Sequence, residues 1–173
     1  LRVLEGAAPS TFQPKLGFGT SALTGNRGPV PAGWLCDPND YGKLLEPIIK
    51  GKANVVYGSR LNALRKNVKD MYKLHYYGNL FLTFMTNMLY GAKITDMETC
   101  YKVCKREVIK GIKLRARRFD FEPELTAKIL KKGYKIQEIP ISFAGRKFDE
   151  GKKITWKDGL QALYYLIKYR FVD

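Results

Sequence analysis

A chain of 173 residues, 45% apolar and 27% charged, is long enough to form one globular domain with its own core. Its 31 Lys and Arg residues against 16 Asp and Glu residues leave a formal net charge of +15, which favours nucleic acid, phosphorylated small molecules or an anionic membrane as the partner. Three cysteines, Cys36, Cys100 and Cys104, are an odd and sparse set that argues against a disulfide framework and for a reducing compartment.

The character of the chain changes near Cys36. Residues 1–36 hold glycine and proline at short intervals without helical or alternating apolar periodicity, so we predict an irregular segment. From Asp37 onward, "DPNDYGKLLEPIIKGK" predicts a helix that starts with Asp-Pro and ends before Gly51. The next segment, "ANVVYGSR", predicts a short buried strand that ends in a Gly-Ser turn.

The second half of the chain continues this alternation. Large apolar residues at 3-4 spacing predict one amphipathic helix over about 68–90, whose polar residues favour a packed or interface-lying helix over a membrane span. Helices are predicted at "REVIKGI" and at "EPELTAKILKKG", which Gly133 ends. A strand at "YKIQEIPISF" and a last aromatic-rich helix at "TWKDGLQALYYLIKYR" follow. This order predicts an α/β fold.

The stretch "TDMETCYKVCKREVIKGI", residues 95–112, is the first candidate site. Cys100 and Cys104 have no further Cys or His nearby, and the single histidine of the chain lies in the middle of a helix pattern, so neither a zinc site nor a cysteine nucleophile is expected. Asp96 and Glu98 are interpreted as hydrogen-bond acceptors in a polar cleft, with Lys102 as an anion contact. A solvated loop that leads into a helix is the alternative.

Two further stretches are candidate ligand contacts. "AGRKFDEGKKITWKDG", residues 144–159, combines glycines with cations, which suits a loop that closes over phosphate, although a solvated basic loop fits its composition as well. Arg60 follows a predicted strand, at the end where open α/β sheets bind ligands. Glu122 and Glu124 open a helix, where the helix dipole favours acids in any case.

These motifs in this order closely resemble the family-two glycosyltransferases of the dolichyl-phosphate mannose synthase type. The resemblance is carried by "DPNDYGKLLEPIIKGKANVVYGSR", "TDMETCYKVCKREVIKGIKL", "RRFDFEPELTAKILKKGYKIQEIPISFAGR" and "EGKKITWKDGLQAL", and it covers about Asp37 to Phe171. It implies a GT-A-like, Rossmann-like mixed sheet with flanking helices, here incomplete. Residues 37–173 would then be the C-terminal part of a glycosyltransferase catalytic domain, preceded by the atypical segment 1–36.

The resemblance also implies an activity. Such enzymes transfer a sugar, with inversion, from a nucleotide sugar of the GDP-mannose or UDP-glucose type to a polyprenyl or dolichyl phosphate. The intact family uses Mg²⁺ or Mn²⁺ and works as a peripheral protein at the cytoplasmic face of a membrane, in some cases with a membrane subunit. Nucleic acid is not an expected partner, because no RNA- or DNA-binding signature is present and the lysines are spread over every element.

Site residues follow from the resemblance by position. Glu122 and Asp96 take the catalytic positions, with Glu122 as an orienting acid rather than an obligatory base. The residues expected to bind the donor or acceptor phosphate are Arg60, Arg146, Lys152, Lys153 and Lys102. The residues expected to line the sugar and acceptor cleft are Glu98, Thr99 and Glu124.

The chain departs from the family pattern before Asp37. The family carries an Asp-x-Asp pair there that binds the cation, and Pro31 and Gly33 occupy those two positions here. No metal ligand is therefore assigned. The chain looks truncated, and the sequence leaves two alternatives for the chain by itself: an active transferase, or a truncated family member that is inactive alone. The alternative function is a non-catalytic remnant that binds lipid phosphate or a protein partner through the retained half.

Overall fold

A computed structural model describes residues 2–5, 37–61, 73–116, 120–142 and 156–172. Its strands are β1 (Arg2–Glu5), β2 (Val55–Ser59), β3 (Tyr101–Cys104) and β4 (Ile136–Pro140). A 3-10 turn at Pro38–Asp40 precedes α1 (Tyr41–Ile49), and the other helices are α2 (Lys73–Tyr90), α3 (Arg106–Ile109), α4 (Phe121–Lys131) and α5 (Trp156–Phe171). The predicted α/β class is confirmed.

The four strands form one mixed sheet in the order β1-β3-β2-β4. β2 runs parallel to β4, whereas β3 runs antiparallel to both β2 and β1. In the central pair, Val56 lies opposite Val103 and Tyr57 lies opposite Lys102. Alternate residues of a strand point to opposite faces, so Tyr57 and Lys102 share the face opposite to that of the two valines.

Two strands were not predicted. β1 lies inside the segment 1–36 that was expected to be irregular, so that expectation was wrong for residues 2–5; residues 6–36 lie outside the described part of the chain. β3 was interpreted as part of a polar stretch that leads into a helix. Each strand has only four residues, too few for a clear alternation, and all four residues of β3 are buried, including Lys102. Pairing with neighbouring strands stabilises such segments, and pairing is not a local property.

Helices cover both faces of the sheet. On one face, Val56 and Val103 pack with Leu44 and Ile48 of α1. On the other face, the core consists of Val55, Tyr57, Cys104, Val108, Phe121, Leu125 and Ile129, to which α4 contributes three residues. Because β2 is buried on both faces, its five residues are all inaccessible to water, as the continuous apolar run of its sequence predicts.

A third apolar cluster joins α2 to α5. Leu82 of α2 packs with Ala162 and Leu166 of α5, together with Ile94 and Met97 of the loop that follows α2. The hydroxyl of Tyr90 donates a 2.7 Å hydrogen bond to the carbonyl of Leu166. No helix within the described ranges has both the length and the apolar character needed to cross a bilayer.

The first helix is fixed to the sheet by one buried carboxylate. Asp40 accepts a 2.6 Å hydrogen bond from the amide of Ser142, just after β4, and a 3.0 Å bond from Lys43 Nζ. Two predicted helix ends are confirmed, because Gly51 and Gly133 have φ values of +70° and +79°, a conformation that favours glycine.

A tight contact at Gly58 gives the first prediction. A Cβ atom at Gly58 would lie 2.7 Å from Ile141 Cγ2 and 2.8 Å from its Cδ1, and Ile141 is itself buried. We expect Gly58→Ala to lower the free energy of unfolding by about 1–3 kcal/mol through overpacking. The measurement is chemical denaturation followed by circular dichroism.

The matched control is Gly42→Ala, because nothing lies within 4 Å of the Cβ position at Gly42 in α1. This change should leave stability unchanged or raise it by up to ~1 kcal/mol, since alanine favours the helix. Equal stability of the Gly58→Ala variant and the wild type would contradict the packing described here.

Candidate functional site

The candidate site lies where β2 ends. The loop of residues 91–100 passes this strand end, and Glu138 of the neighbouring strand β4 holds the loop in place. The carboxylate of Glu138 accepts hydrogen bonds from the backbone amides of Thr95 and Asp96 at 2.8–2.9 Å and from the Thr95 hydroxyl at 2.8 Å. The hydroxyl of Thr95 also lies 2.8 Å from that of Ser59, the last residue of β2. The loop is therefore fixed to two strands of the sheet.

Arg60 and Asp96 form the central ion pair of the site. Arg60 donates from Nε to Asp96 Oδ2 at 2.8 Å and from Nη2 to Oδ1 at 2.7 Å, and its backbone amide donates to Oδ2 at 2.9 Å. Asn79 of α2 adds a 2.7 Å bond to Oδ1. Asp96 is fully buried, and burial alone would raise the pKa of its carboxyl group, but Arg60 and Asn79 hold that pKa below its usual value. Asp96 is thus a fixed, ionised group.

Buried polar side chains of α2 fasten the same loop from the other side. The side-chain oxygen of Asn79 accepts from the Thr83 hydroxyl at 3.2 Å and from the Glu98 amide at 3.4 Å. Thr83 in turn accepts a 3.1 Å hydrogen bond from the amide of Met97. The backbone of 96–98 is therefore set by one face of α2, and the direction of the Glu98 side chain follows from it.

Glu98 has the chemistry expected of a ligand site. Its Oε1 atom is buried and has no hydrogen-bond partner among the described residues. Burial, together with the negative charge of Glu122, raises the pKa of the Glu98 carboxyl to about 8, against the opposing effects of Lys102 and Arg60. Glu122, half-buried at the start of α4, also has a raised pKa because of burial. The two carboxyl groups thus share one desolvated environment.

Lys102 lies beneath these acids rather than at the surface. It is fully buried, donates to the Thr99 carbonyl, and has its Nζ 5.1 Å from the centre of the Tyr57 ring. Burial lowers the pKa of Lys102, while Glu122 and Glu98 oppose that shift. In this conformation its role is to compensate the neighbouring carboxyl charges. Thr99, also buried, donates its hydroxyl hydrogen to the carbonyl of Gly58.

The structure brings together five residues of the sequence prediction, namely Arg60, Asp96, Glu98, Lys102 and Glu122. Glu124 does not join them. Its buried carboxylate accepts from the amides of Arg115 and Ala116 and from Lys128 Nζ at 2.6 Å, so it fixes the segment before α4. The predicted phosphate ligands Arg146, Lys152 and Lys153 lie outside the described residues.

Two residues of the site were missed by the sequence analysis, Asn79 and Glu138. Asn79 is one of the polar residues of the helix predicted over 68–90, and an asparagine on the buried face of such a helix is the signal that could have identified it. Glu138 gave no comparable signal, because an acid is expected on the polar side of an alternating strand.

The cysteines differ from the prediction in one respect. Cys100 is disulfide-bonded, which the odd cysteine count did not predict. Cys104 is a buried free thiol whose pKa burial raises to about 12, so it is an unreactive packing residue, as expected.

A divalent cation is implied by the resemblance but is not supported by the described residues. No group of three or more His, Cys, Asp or Glu side chains within them could hold a metal ion. Cations already compensate the acids of the site. Asp96 forms an ion pair with Arg60, and the positive charge of Lys102 acts on Glu98 and Glu122. We therefore derive no chemical step through a cation.

Comparison with known proteins supports a glycosyltransferase relationship. No family model matches the chain. Over 132 residues, 75% of its length, the chain is 28% identical to the UDP-N-acetylglucosamine–dolichyl-phosphate N-acetylglucosaminyltransferase of Methanococcus voltae, of which it covers 52%. It is 25% identical over 133 residues, 76% of its length, to the low-salt glycan biosynthesis hexosyltransferase Agl6 of Haloferax volcanii, of which it covers 32%.

A further relative, an uncharacterised protein of Methanocaldococcus jannaschii, is 26% identical over 133 residues, 75% of the chain and 54% of the relative. The chain thus spans about half the length, or less, of the curated relatives it matches. The two relatives whose names state an activity are both glycosyltransferases, which is the class that the sequence motifs indicated.

The buried ion pair gives the second prediction. Asp96→Asn removes the charge that compensates Arg60, whose side chain is only 13% exposed. We expect the free energy of unfolding to fall by about 3 kcal/mol or more, because an unpaired buried charge is strongly destabilising. Thermal and urea denaturation would measure this loss.

The matched control is Glu46→Gln, which breaks the exposed Lys50–Glu46 pair on α1. Solvent screens that pair, so its removal should leave the unfolding midpoint unchanged within error. An Asp96→Asn variant as stable as this control would show that the pair at the end of β2 contributes nothing to the fold.

Proposed function

We propose that this chain forms the acceptor side of a GT-A-like glycosyltransferase that transfers a sugar from a nucleotide sugar to a polyprenyl phosphate. The observation that carries this proposal is the desolvated cluster at the end of β2. There, a buried oxygen of Glu98 has no hydrogen-bond partner in the described part of the chain and lies beside Glu122, Lys102 and the Arg60–Asp96 pair. Partly buried ionisable groups with shifted pKa values are typical of functional sites. The names of the two relatives supply the reaction class.

The chemistry is a single displacement at the anomeric carbon. A phosphate oxygen of the acceptor forms a bond to that carbon while the bond to the donor diphosphate breaks, and the nucleoside diphosphate leaves with the electron pair. The configuration at the carbon inverts. The acceptor oxygen is ionised near neutral pH, so no strong base is needed. The protein has to align two phosphate-bearing molecules and to offset their charge.

Arg60 and Asp96 are proposed to have different tasks in this reaction. Arg60 places a positive charge at the end of β2, where it favours phosphate. Asp96 accepts four hydrogen bonds, three from Arg60 and one from Asn79, and its lowered pKa makes it a poor proton acceptor. We therefore assign Asp96 as a positioning residue that orients Arg60, rather than as a base.

Glu122 is proposed to be the acid nearest to the reacting groups. It opens α4, is half-buried, and has a raised pKa because of burial. In this environment it can accept a hydrogen bond from a sugar hydroxyl and so orient the donor sugar. The donor sugar itself is not defined by these residues; N-acetylglucosamine, glucose and mannose are the candidates to compare.

The transfer assay tests the whole proposal. The 173-residue chain is incubated with radiolabelled UDP-N-acetylglucosamine, UDP-glucose or GDP-mannose, with a polyprenyl phosphate in detergent, and with Mg²⁺, Mn²⁺ or EDTA. Labelled lipid extracted into organic solvent is expected with one donor. Glu122→Gln should reduce the initial rate about tenfold or more through lost orientation of the sugar, a barrier change of ~1.4 kcal/mol. The melting temperature should be retained.

The control variant is Glu107→Gln, which changes an exposed acid of α3 and should keep the wild-type rate. Binding of polyprenyl phosphate without transfer of any sugar would favour the alternative function, a non-catalytic lipid-phosphate binder. A folded chain that neither binds the lipid phosphate nor transfers sugar to it would refute the proposal.

A membrane surface is the proposed location of the reaction. α2 exposes a stripe of large apolar side chains at 4-3-4 spacing, and α5, which packs against α2, exposes another with the same spacing. The two stripes together comprise Tyr77, Phe81, Phe84, Met88, Leu160, Tyr164, Ile167 and Phe171, each 41–78% exposed. We call these eight residues the apolar stripes.

The charged residues of the two helices favour an anionic bilayer as the partner of the apolar stripes. α2 contains no acidic residue, and α5 carries Lys168 and Arg170 in its last turn. The Lys168 ammonium lies 5.8 Å from the centre of the Tyr164 ring. Aromatic stripes flanked by cations are the pattern of helices that lie in the interface of an anionic membrane. A lipid acceptor would be delivered from the same surface.

Vesicle flotation tests this location. The chain should bind vesicles containing 30% phosphatidylserine. A Phe84→Ser/Phe171→Ser variant should bind at least about tenfold more weakly, because two aromatic side chains that would insert into the bilayer are lost. Ile49→Ser is the matched control, since Ile49 is an exposed apolar residue of α1, which belongs to neither stripe. Unchanged binding of the double variant would contradict the proposal. So would a stable dimer that the double variant disrupts, with no binding to vesicles.

A further inference from the structure

The cluster beside Glu98 contains more acids than cations. Glu98 interacts electrostatically with Glu122 of α4, Lys102 of β3, Arg60 after β2 and Asp96 of its own loop. With every group ionised, these two cations and three acids have a formal charge of −1, which repels phosphate. With Glu98 protonated the charge is zero, and with Glu122 protonated as well it is +1. The protonation state of the acids thus decides whether an anion is attracted.

Glu98 is the acid best placed to hold that proton. Asp96 is ionised because of its four hydrogen bonds, whereas Glu98 Oε1 is buried without a partner among the described residues. A buried carboxyl oxygen that accepts no hydrogen bond is less costly in a neutral group than in a carboxylate. The Glu98 residue itself is partly exposed, and rotation about the terminal bond of a glutamate is broad. This torsion exchanges the two carboxyl oxygens, so either of them can carry the carboxyl hydrogen.

We propose that Glu98 binds the lipid-phosphate acceptor in its protonated form and donates its carboxyl hydrogen to a phosphate oxygen. This inference rests on the proposed function, and it adds a proton to the binding step. Above about pH 8 the free site loses the proton, so binding takes one up from the buffer. The bond is charge-assisted because the acceptor is anionic, which makes it a strong hydrogen bond. Glu98 would then serve as a proton-dependent selector for phosphate.

The sign of the effect follows from the raised pKa of Glu98, about 8 in the free protein. Below this pH the carboxyl group is protonated and phosphate binding has full strength. Above it, each pH unit should weaken binding up to about tenfold, because one proton must be taken up for each ligand bound. The stability of the folded protein depends on pH in the same direction. The raised pKa of Glu98 contributes to the free energy of unfolding in full below pH 4.5, and this contribution is lost as the pH rises toward 8.

Calorimetric titration tests the inference. The wild-type chain is titrated with farnesyl phosphate, a short prenyl phosphate, from pH 7 to 9.5 in two buffers of different ionisation enthalpy. In this range the ligand is mainly the dianion, because the second pKa of a phosphate monoester is about 6. We expect an uptake of about 0.5–1 proton at pH 8.5 and an affinity that falls above pH 8. Glu98→Gln should keep the affinity of the wild type at pH 7, because its amide also donates a hydrogen bond, but should show neither proton uptake nor pH dependence. Glu107→Gln is the control and should behave as the wild type.

Outcomes separate this inference from the proposed function. Binding of farnesyl phosphate with no proton uptake, or with uptake that persists in Glu98→Gln, overturns the inference and leaves the function standing. Uptake that Glu122→Gln abolishes and Glu98→Gln retains also overturns it. No binding to the folded wild type at any pH refutes both.

If Glu98→Gln does not fold, the ¹³C resonance of the wild-type Glu98 carboxyl is followed at pH 8.5. When farnesyl phosphate saturates the protein, this resonance is expected to move to the position of a protonated carboxyl group. A resonance that does not move overturns the inference.

Discussion

The buried ion pair between Arg60 and Asp96 is the constraint on which the candidate site depends. A fully buried carboxylate is tolerated only when its charge and all its hydrogen-bonding positions are satisfied, and here Arg60 and Asn79 together supply four donors. These donors come from the end of β2 and from α2, and the acceptor comes from the loop between α2 and β3. One interaction therefore joins three elements of the fold at the place where the ligand is proposed to bind.

The cluster around this pair is not built for stability. Three acids and two cations lie together, and the neutral forms of Glu98, Glu122 and Lys102 are all favoured by burial. A packed apolar group of similar size would cost less free energy than such a set. Buried ionisable groups that lower stability in this way are expected where a site must bind a charged ligand. The buried Glu98 oxygen, which has no hydrogen-bond partner within the described ranges, fits this interpretation, since a ligand can supply the missing contact.

Helix α2 connects the site to the proposed membrane face. Asn79 and Thr83 point inward and fix the loop of Asp96, while Phe81 and Phe84 are exposed on the outward side of the same helix. The opposite faces of one helix thus adjoin the candidate site and carry part of the apolar stripes. This arrangement suits an acceptor whose phosphate must reach a polar site while its prenyl chain stays in an apolar environment.

The sequence by itself determined the α/β class, the helix ends at Gly51 and Gly133, and the motif that carries Asp96 and Glu98, because these depend on local periodicity, turn chemistry and residue type. Tertiary structure alone decided the short strands β1 and β3, whose pairing is not local, and the roles of Asn79 and Glu138, which act through neighbours distant in the chain. It also separated Glu124 from Glu122. Both open the same helix, but residues two apart on a helix face different directions, so Glu124 binds the preceding segment while Glu122 joins the site.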